Sequence, residues 1–442
     1  MFSEKNKRTG QTMRIPIICL SSNLDNYLKR FRHCFSKPQY KYFVTLLLGL
    51  MLCQGASTMT NVLRQVETGR SLSGTSRFLS EAPWSTEQVA RTWMEGFRRE
   101  MGKKVKQDHA RQKAKRPKRP GRPRKTIVTG YLIGDDSVAQ KRRGKKMGGL
   151  GYHHSSTENK RVKGHCLVQA LYVLLGRRCP LEPKMYTQQA VCKVEKRPFH
   201  SKVTMMIDFI KQFQPVAETQ THVLLDSWYT AKKVWKAARD RDFLITSGLK
   251  CDRKVRIDAT DGSKKWHWQR VDEYAAELSD DQFTAIDWPN SNRTVYVHVL
   301  STRVKKLYRC QVVFVRQSLD GKTKYWASTD LDASINSLLA HIAQRWDIEQ
   351  LFADVKELLG LDQYQLISHV SIRRFWVLIM VAYSFLDQQR DSLQQQLNRH
   401  TTIGDAWRHT QQQHYLHLLD WIVDAVKIHY YSIDDLREEL LA

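Results

Sequence analysis

Apolar residues recur at three- and four-residue intervals through the first quarter of the chain. Between residues 24 and 101, an apolar stretch at 42–53 is followed by further apolar positions at helical spacing, which predicts an all-α domain over residues 1–101. Residues 71–81, with Arg77, could form a short recognition helix, although simple helical packing explains the same pattern.

From residue 127 the pattern changes to short runs of β-branched and aromatic residues separated by helical stretches. The order of these elements is strand, strand, strand, helix, strand, helix, strand, which is the order of the RNase H fold. We therefore predict an α/β fold with an RNase H-like core. The predicted strands are 127–134, 165–175, 181–186, 222–225 and 243–247, and the predicted helices are 202–213 and 230–239.

The next part of the chain is rich in predicted strands. Residues 251–332 contain runs of strand-forming residues, which indicates a β-rich subdomain inserted into the core. Helical spacing returns at residues 333–386 and continues through a Gln-rich tail. We therefore predict an α/β domain over residues 127–386, which is large enough to form a catalytic core, and a helical C-terminal region over residues 387–442.

Residues 102–126 have a different composition from their surroundings. Residues 102–125 contain twelve Lys or Arg, three Pro and one acid, which predicts a solvated basic linker. The segment Lys-Arg-Pro-Gly-Arg-Pro-Arg-Lys at 118–125 resembles an AT-hook, which lies in the minor groove of A·T-rich DNA. In that interpretation Arg119, Arg122 and Arg124 contact DNA. The alternative is a purely electrostatic tether.

The formal net charge of +28 points to a polyanionic partner, and to nucleic acid before a membrane surface. The longest apolar runs, at 43–53 and 375–386, fall short of the roughly 18 residues that span a bilayer, so we expect no membrane segment. The eight cysteines contain no Cys-x-x-Cys pair, which argues against a disulfide framework and a cysteine zinc site. We expect a reducing, cytoplasmic environment.

Two aspartates follow short apolar runs at 131–134 and 223–225. If these strands are neighbours in one sheet, Asp135 and Asp226 leave its edge together. Cutting and joining phosphodiesters is well served by two divalent ions held by carboxylates. Glu349 is the candidate third ligand. Arg345, Glu349 and Lys356 lie within roughly 40° of one another on a helix, so the two cations could hold DNA phosphates beside it.

Each of these features has a simpler explanation when taken alone. An aspartate after a strand is usually a turn or helix-cap residue, and Arg345 and Glu349 have the spacing of a common surface ion pair. The three acids in this order, on a chain this basic, favour catalysis.

These residues carry a family resemblance. Over residues 127–386 the sequence resembles the DDE transposases of bacterial insertion sequences, an RNase H-like group with a Tyr-x2-Arg-x3-Glu-x6-Lys signature and a β-rich insertion before the glutamate. Ile342 stands where the signature has tyrosine, so a contact from that hydroxyl is not expected. The matching motifs are Asp135-Asp136-Ser137, Asp226-Ser227-Trp228-Tyr229, and Arg345, Glu349 and Lys356.

The resemblance implies a DNA transposase that binds the ends of its insertion sequence, cleaves them and joins the 3′-hydroxyls to target DNA. It further implies cut-and-paste movement, two Mg²⁺ ions per site with Mn²⁺ as a substitute, a homodimer on double-stranded DNA, and a nucleoid-associated location in a bacterium. Of the two neighbouring acids, the family register selects Asp135 over Asp136 as the metal ligand.

Other basic and aromatic residues are candidates for DNA contact. The glycine-rich loop after the first aspartate could grip DNA, although a solvated charged loop explains it equally. Its candidate residues are Lys141, Arg142, Arg143, Lys145 and Lys146. This loop lacks the Gly-Lys-Ser/Thr of a phosphate-binding P-loop, so no nucleotide cofactor is expected. Trp266, Trp268, Trp288 and Trp326 could stack on a flipped base or form part of the core.

Two rival functions remain open on the sequence. One is an inactive transposase-derived DNA-binding regulator, against which the intact acids at all three positions count. The other is a different RNase H-like DNA nuclease, which needs the same carboxylates but neither the long insertion nor recognition of transposon ends.

Overall fold

The computed structural model describes residues 15–16, 21–67, 71–115, 127–155, 158–259, 265–428, 432 and 434–435. The N-terminal part is mainly helical, as the apolar pattern predicts. Two short strands, β1 (Ile15–Pro16) and β2 (Val66–Glu67), pair in parallel. The helices are α1 (Ser22–Lys29), α2 (Lys37–Leu52), α3 (Met59–Arg64), α4 (Leu72–Ser80) and α5 (Thr86–Lys115).

Helix α5 is longer than predicted. The solvated linker was expected from residue 102, but the helix continues to Lys115, so residues 102–115 are helical. Met101 and Val105 continue the buried side of the helix one turn apart, and the Lys104 ammonium lies 2.5 Å from an Asp391 carboxylate oxygen. The predicted AT-hook arginines lie outside the described residues, so that assignment stays a prediction.

A mixed sheet of eleven strands forms the centre of the described structure. Its strands are β3 (Val128–Gln140), β4 (Gly151–Ser155), β5 (Lys160–Leu174), β6 (Arg177–Pro180), β7 (Lys184–Tyr186), β8 (Thr219–Leu225), β9 (Leu244–Leu249), β12 (Thr284–Asp287), β13 (Thr294–Arg303), β14 (Arg309–Arg316) and β15 (Lys324–Ser328). Their order in the sheet is β12-β13-β14-β15-β9-β8-β3-β5-β4, with β6 and β7 also pairing with β5. Strands β3, β8 and β9 run parallel to one another, and β5 is antiparallel to β3.

The first core strand differs from the prediction. It was expected to end at residue 134, but β3 continues through Asp135 to Gln140 because β5 pairs with it along that whole length. Asp135 therefore lies within a strand, whereas Asp226 follows the end of β8 as predicted. The segment predicted as one strand at 181–186 contains only β7, and β4 was not predicted.

The predicted β-rich insertion is present, and most of it extends the central sheet. Strand β15 pairs antiparallel with β9, so β12–β15 continue the same hydrogen-bonded layer. A separate hairpin consists of β10 (Lys254–Asp258) and β11 (Trp266–Arg270), and it is followed by α9 (Val271–Glu277).

The remaining helices surround the sheet. They are α6 (Gln189–Val194), α7 (Lys202–Gln212), α8 (Lys232–Arg239), α10 (Ile335–Gln344), α11 (Trp346–Glu357), α12 (His369–Leu397) and α13 (Ile403–Ile428). Because α12 continues past residue 386, the predicted domain boundary there falls inside a helix. One described helix, α12, is long and apolar enough to cross a bilayer, but 83% of its most apolar window is buried inside the structure. It packs against α2, α4 and α5, and the Tyr27 hydroxyl donates to the Val381 carbonyl at 2.9 Å.

Candidate active site

The register of two parallel strands places the first two acids side by side. Gly134 on β3 is aligned with Leu225 on β8, so Asp135 and Asp226 are the next residues on adjacent strands. Asp226 keeps an extended backbone (φ −75°, ψ 164°). Neighbouring strands lie about 4.8 Å apart, so the two carboxylates leave the sheet together. Both line a cavity of about 540 Å³.

Helix α11 brings the third acid to the same strand. Arg345, between α10 and α11, donates from Nη1 to Asp135 Oδ2 at 3.0 Å and from Nη2 to Glu349. One residue before the end of α11, the Lys356 ammonium donates to Ser137 Oγ on β3 at 2.8 Å. The structure therefore gathers all three residues of the Arg-x3-Glu-x6-Lys motif around the Asp135 segment of β3.

The electrostatics of the site favour binding of an additional cation. The pKa of Asp135 is raised to about 7, mainly by burial; the Arg345 guanidinium opposes this shift, and the nearby charges of Asp136 and Asp226 contribute to it. The Arg345 guanidinium thus lies between the carboxylates of Asp135 and Glu349, of which that of Asp135 is largely buried. The oxygen-only donor set of Asp135, Asp226 and Glu349 fits a hard divalent cation such as Mg²⁺.

The neighbouring acid, Asp136, is engaged elsewhere. Its carboxylate accepts hydrogen bonds from Lys202 Nζ at 2.6 Å and from the Tyr229 hydroxyl at 2.8 Å. Successive residues of a strand point to opposite faces. Asp135 is thus the acid directed toward Arg345 and Glu349, whereas Asp136, which lines the same cavity, is bound by Lys202 and Tyr229.

One predicted DNA contact is wrong. Lys141 is buried, and its ammonium donates to the Asp362 and Tyr364 carbonyls at 2.6 and 2.5 Å and lies over the Tyr364 ring. Burial lowers its pKa to about 8. Its side chain bonds the segment that follows α11 and is therefore not available to contact DNA. The other loop cations are exposed and can contact a partner, namely Arg142, Arg143, Lys145 and Lys146.

The cavity is also lined by an aromatic residue to which the sequence analysis assigned no role of its own. Trp228 follows Asp226 by two positions, lines the same cavity and is 60% exposed. The signal in the sequence was a large aromatic residue two positions after a strand-end acid. Among the insertion tryptophans, Trp266 is exposed, whereas Trp288 and Trp326 pack against the small apolar cluster that includes Leu338 and Leu339.

Comparisons with known proteins show a similarity in the central part of the chain. Residues 200–385 match the family model described as "Transposase DDE domain". A solved structure titled "Cryo-EM structure of piggyBac transposase synaptic complex with hairpin DNA" has a TM-score of 0.44 and 10% sequence identity, covering 96% of this chain and 82% of that chain. No curated protein matches the chain. Residues 200–385, which include Asp226, Arg345, Glu349 and Lys356, are therefore similar to a transposase DDE domain.

Proposed function

We propose that this chain is a DNA transposase, a metal-dependent endonuclease and strand-transferase whose catalytic residues are Asp135, Asp226 and Glu349. The observation that carries the proposal is the match of residues 200–385 to a transposase DDE domain, which contains two of the three acids. Asp135 lies outside the matched region, and the β3–β8 register supports its place beside Asp226.

The topology is consistent with an RNase H-like core. Strands β3, β8 and β9 form its parallel part, β5 is its antiparallel neighbour, and the β10–β15 insertion precedes the glutamate helix. This arrangement supports the finer assignment to the group of DDE transposases found in bacterial insertion sequences.

The three carboxylates would hold the divalent ions, Mg²⁺ or in its place Mn²⁺. Two bound ions supply Lewis-acid stabilisation of the attacking and leaving oxygens of a phosphodiester. The chain's own contribution is to fix the ligands, because Asp135 and Asp226 belong to one rigid sheet and Glu349 is linked to it through Arg345.

Cations of the chain would bind and orient the DNA. Arg345 and Lys356 place positive charge beside the proposed metal ligands, where phosphate groups of the cut strand can bind. The exposed cations of the β3–β4 loop and the net charge of +28 support double-stranded DNA as the partner. Transposon ends and target DNA, a homodimer and cut-and-paste movement belong to the same proposal through the family resemblance.

The test uses DNA from both flanks of the gene, cloned into a supercoiled plasmid and incubated with full-length protein and Mg²⁺. We expect strand cleavage at defined flank positions, loss of cleavage in Asp226→Asn, and unchanged cleavage in Asp240→Asn, a matched control whose carboxylate forms an exposed pair with Lys236. Gel shifts on the same DNA should show similar binding by all three proteins.

Two outcomes would contradict the proposal. Tight binding to the flanks without cleavage by the unmodified protein would favour the regulator. Cleavage that depends on branched DNA structure and ignores the flanks would favour another RNase H-like nuclease.

A further inference from the structure

A second group of potential metal ligands lies beside strand β8, where His222 precedes Asp226 of the candidate active site by four residues. His222 on β8, Asp330 after β15 and His341 on α10 each offer one ligand atom, and these atoms lie within 4.8 Å of one another. The His341 Nε2 atom is 3.8 Å from Asp330 Oδ2. The two imidazole rings have centroids 4.1 Å apart.

One ring nitrogen of His222 has no hydrogen-bond partner among the described residues. The residue is fully buried, and its Nε2 lies 2.8 Å from Thr246 Oγ1. Because the Thr246 hydroxyl donates to Ser328 Oγ, its oxygen is left to accept a hydrogen bond from Nε2–H. Nδ1 then carries the lone pair, and it is buried with no hydrogen-bond partner in the part of the chain that the structure describes. A buried acceptor of this kind is costly unless something binds it.

His341 has a similar arrangement with its ring reversed. Its Nδ1 lies 3.2 Å from the Tyr131 hydroxyl, which can accept a hydrogen bond from Nδ1–H. Nε2 then carries the lone pair that faces Asp330. Histidines that bind metal commonly donate the hydrogen of the other ring nitrogen to a nearby acceptor, which fixes the tautomer. Both histidines have such an acceptor, Thr246 and Tyr131.

We propose that His222, Asp330 and His341 bind a divalent transition-metal ion, for which Zn²⁺ is the best fit. Two imidazoles and one carboxylate suit Zn²⁺, whereas Mg²⁺ prefers oxygen ligands alone. Ligands of a tetrahedral Zn²⁺ with bonds of about 2.0–2.1 Å lie about 3.3 Å apart. The 3.8 Å separation of His341 and Asp330 needs only a small closing movement.

The position of the site indicates a structural role. The three ligands join the central strand β8, helix α10 and the connection where the insertion returns to the core. His222 precedes Asp226 by four residues, and His341 precedes Arg345 by four. A bound ion would fix α10 against the sheet and thereby position α11, which carries Glu349.

The test measures metal binding directly, with Co²⁺ as a spectroscopic probe and Zn²⁺ as its competitor. The protein used is full-length and carries Asp135→Asn, Asp226→Asn and Glu349→Gln. These substitutions remove the carboxylates of the candidate active site, so that the metal binding measured does not come from that site and does not depend on cleavage. We expect one equivalent of Co²⁺, with visible absorption bands of a nitrogen-containing site, that Zn²⁺ displaces and excess Mg²⁺ does not.

Variants in the same background identify the ligands. Asp330→Asn should weaken Co²⁺ binding by about 100-fold or more, and Thr246→Val, which removes the acceptor for His222 together with the bond to Ser328 Oγ, by about 10-fold. His298→Gln is the matched control, because this histidine lies in the insertion away from the site, and should bind as the background protein does. Circular dichroism checks that each variant is folded. No stoichiometric Co²⁺ binding, or equal binding by folded Asp330→Asn, would overturn the proposal.

Discussion

Arg345 contacts two of the proposed metal ligands at once. Its guanidinium bonds both Asp135 and Glu349, so it is the nearest positive charge to these carboxylates. Arginine cannot itself bind Mg²⁺, because it has no lone pair to offer. We therefore expect Arg345→Ala to lower DNA cleavage while divalent-ion affinity stays at or above that of the unmodified protein.

Glu349→Gln provides the contrasting variant. It keeps the shape of the side chain but removes the charge on which a hard cation depends, so divalent-ion affinity should fall. Calorimetric titration with Mg²⁺ and single-turnover cleavage separate the two roles. If folded Arg345→Ala lost ion binding as completely as Glu349→Gln, the division of labour along this helix would be wrong.

His165 gives the fold a defined acid sensitivity. Burial lowers its pKa to about 4, while its ring bonds the Gly148 carbonyl and the Tyr364 hydroxyl. The unfolded chain, with an ordinary histidine pKa near 6.5, binds the proton more readily, so stability is lost as the pH falls from about 6.5 toward 4. The loss from this residue alone should reach about 2 kcal/mol at pH 5.

The measurement is urea unfolding at pH 7 and pH 5 for the unmodified protein and His165→Gln. Glutamine does not titrate, so the variant should lose less stability between the two pH values. An equal loss in both proteins would show that His165 is not responsible.

The side-chain contacts of the site were the part that could not be predicted from the sequence. The order and spacing of the three acids could be read from the sequence, because an apolar run precedes each aspartate and helix periodicity places Glu349 beside Arg345 and Lys356. The burial of Lys141 was not, because it depends on two carbonyls more than two hundred residues away. The engagement of Asp136 by Lys202 and Tyr229 likewise depends on long-range contacts.

At the scale of elements, one buried ion cluster joins α5, β6 and α12. Asp387 on α12 is fully buried and accepts hydrogen bonds from Arg177 Nε at 2.7 Å and Arg390 Nε at 3.1 Å. Arg177 also pairs with Glu100 on α5. Removing the Asp387 carboxylate takes one negative charge away from two buried arginines, so Asp387→Ala should destabilise the protein by about 3–5 kcal/mol.

Denaturant unfolding followed by far-ultraviolet circular dichroism tests this effect. Asp25→Ala is the matched control, because its pair with Lys29 is exposed and should contribute less than about 1 kcal/mol. A loss for Asp387→Ala no greater than for Asp25→Ala would contradict the role of the cluster.

Most elements were predictable where local pattern decides them. The helices and strands from residue 202 to 249 lie within a few residues of the prediction, because their apolar spacing is regular. The end of β3 was missed because pairing with β5 extends it. The length of α5 was missed because its basic composition resembles a linker, although its buried residues Met101 and Val105 keep helical spacing.

At the scale of the whole molecule, the dominant property is positive charge. Six of the basic residues lie in residues 116–125, the part of the predicted linker beyond α5. Deleting residues 116–125 should weaken DNA binding and reduce the slope of log affinity against log salt by up to about five, since each phosphate contact contributes about 0.9.

The nature of this segment can be tested within the same binding assay. If Arg122 reads the minor groove, Arg122→Ala should reduce the preference for A·T-rich DNA more than Lys118→Ala does. Equal effects of the two substitutions would leave only the electrostatic tether.

The central claim is that the acids of the site bind the metal ions used in cleavage, and a metal-rescue assay on Asp226→Cys tests it most directly. A thiolate binds Mg²⁺ poorly but accepts softer ions such as Mn²⁺. The account predicts that Asp226→Cys does not cleave flank DNA with Mg²⁺ and regains cleavage with Mn²⁺, while Asp240→Cys cleaves with either ion. Cleavage by Asp226→Cys in Mg²⁺ at the rate of the unmodified protein would contradict the account.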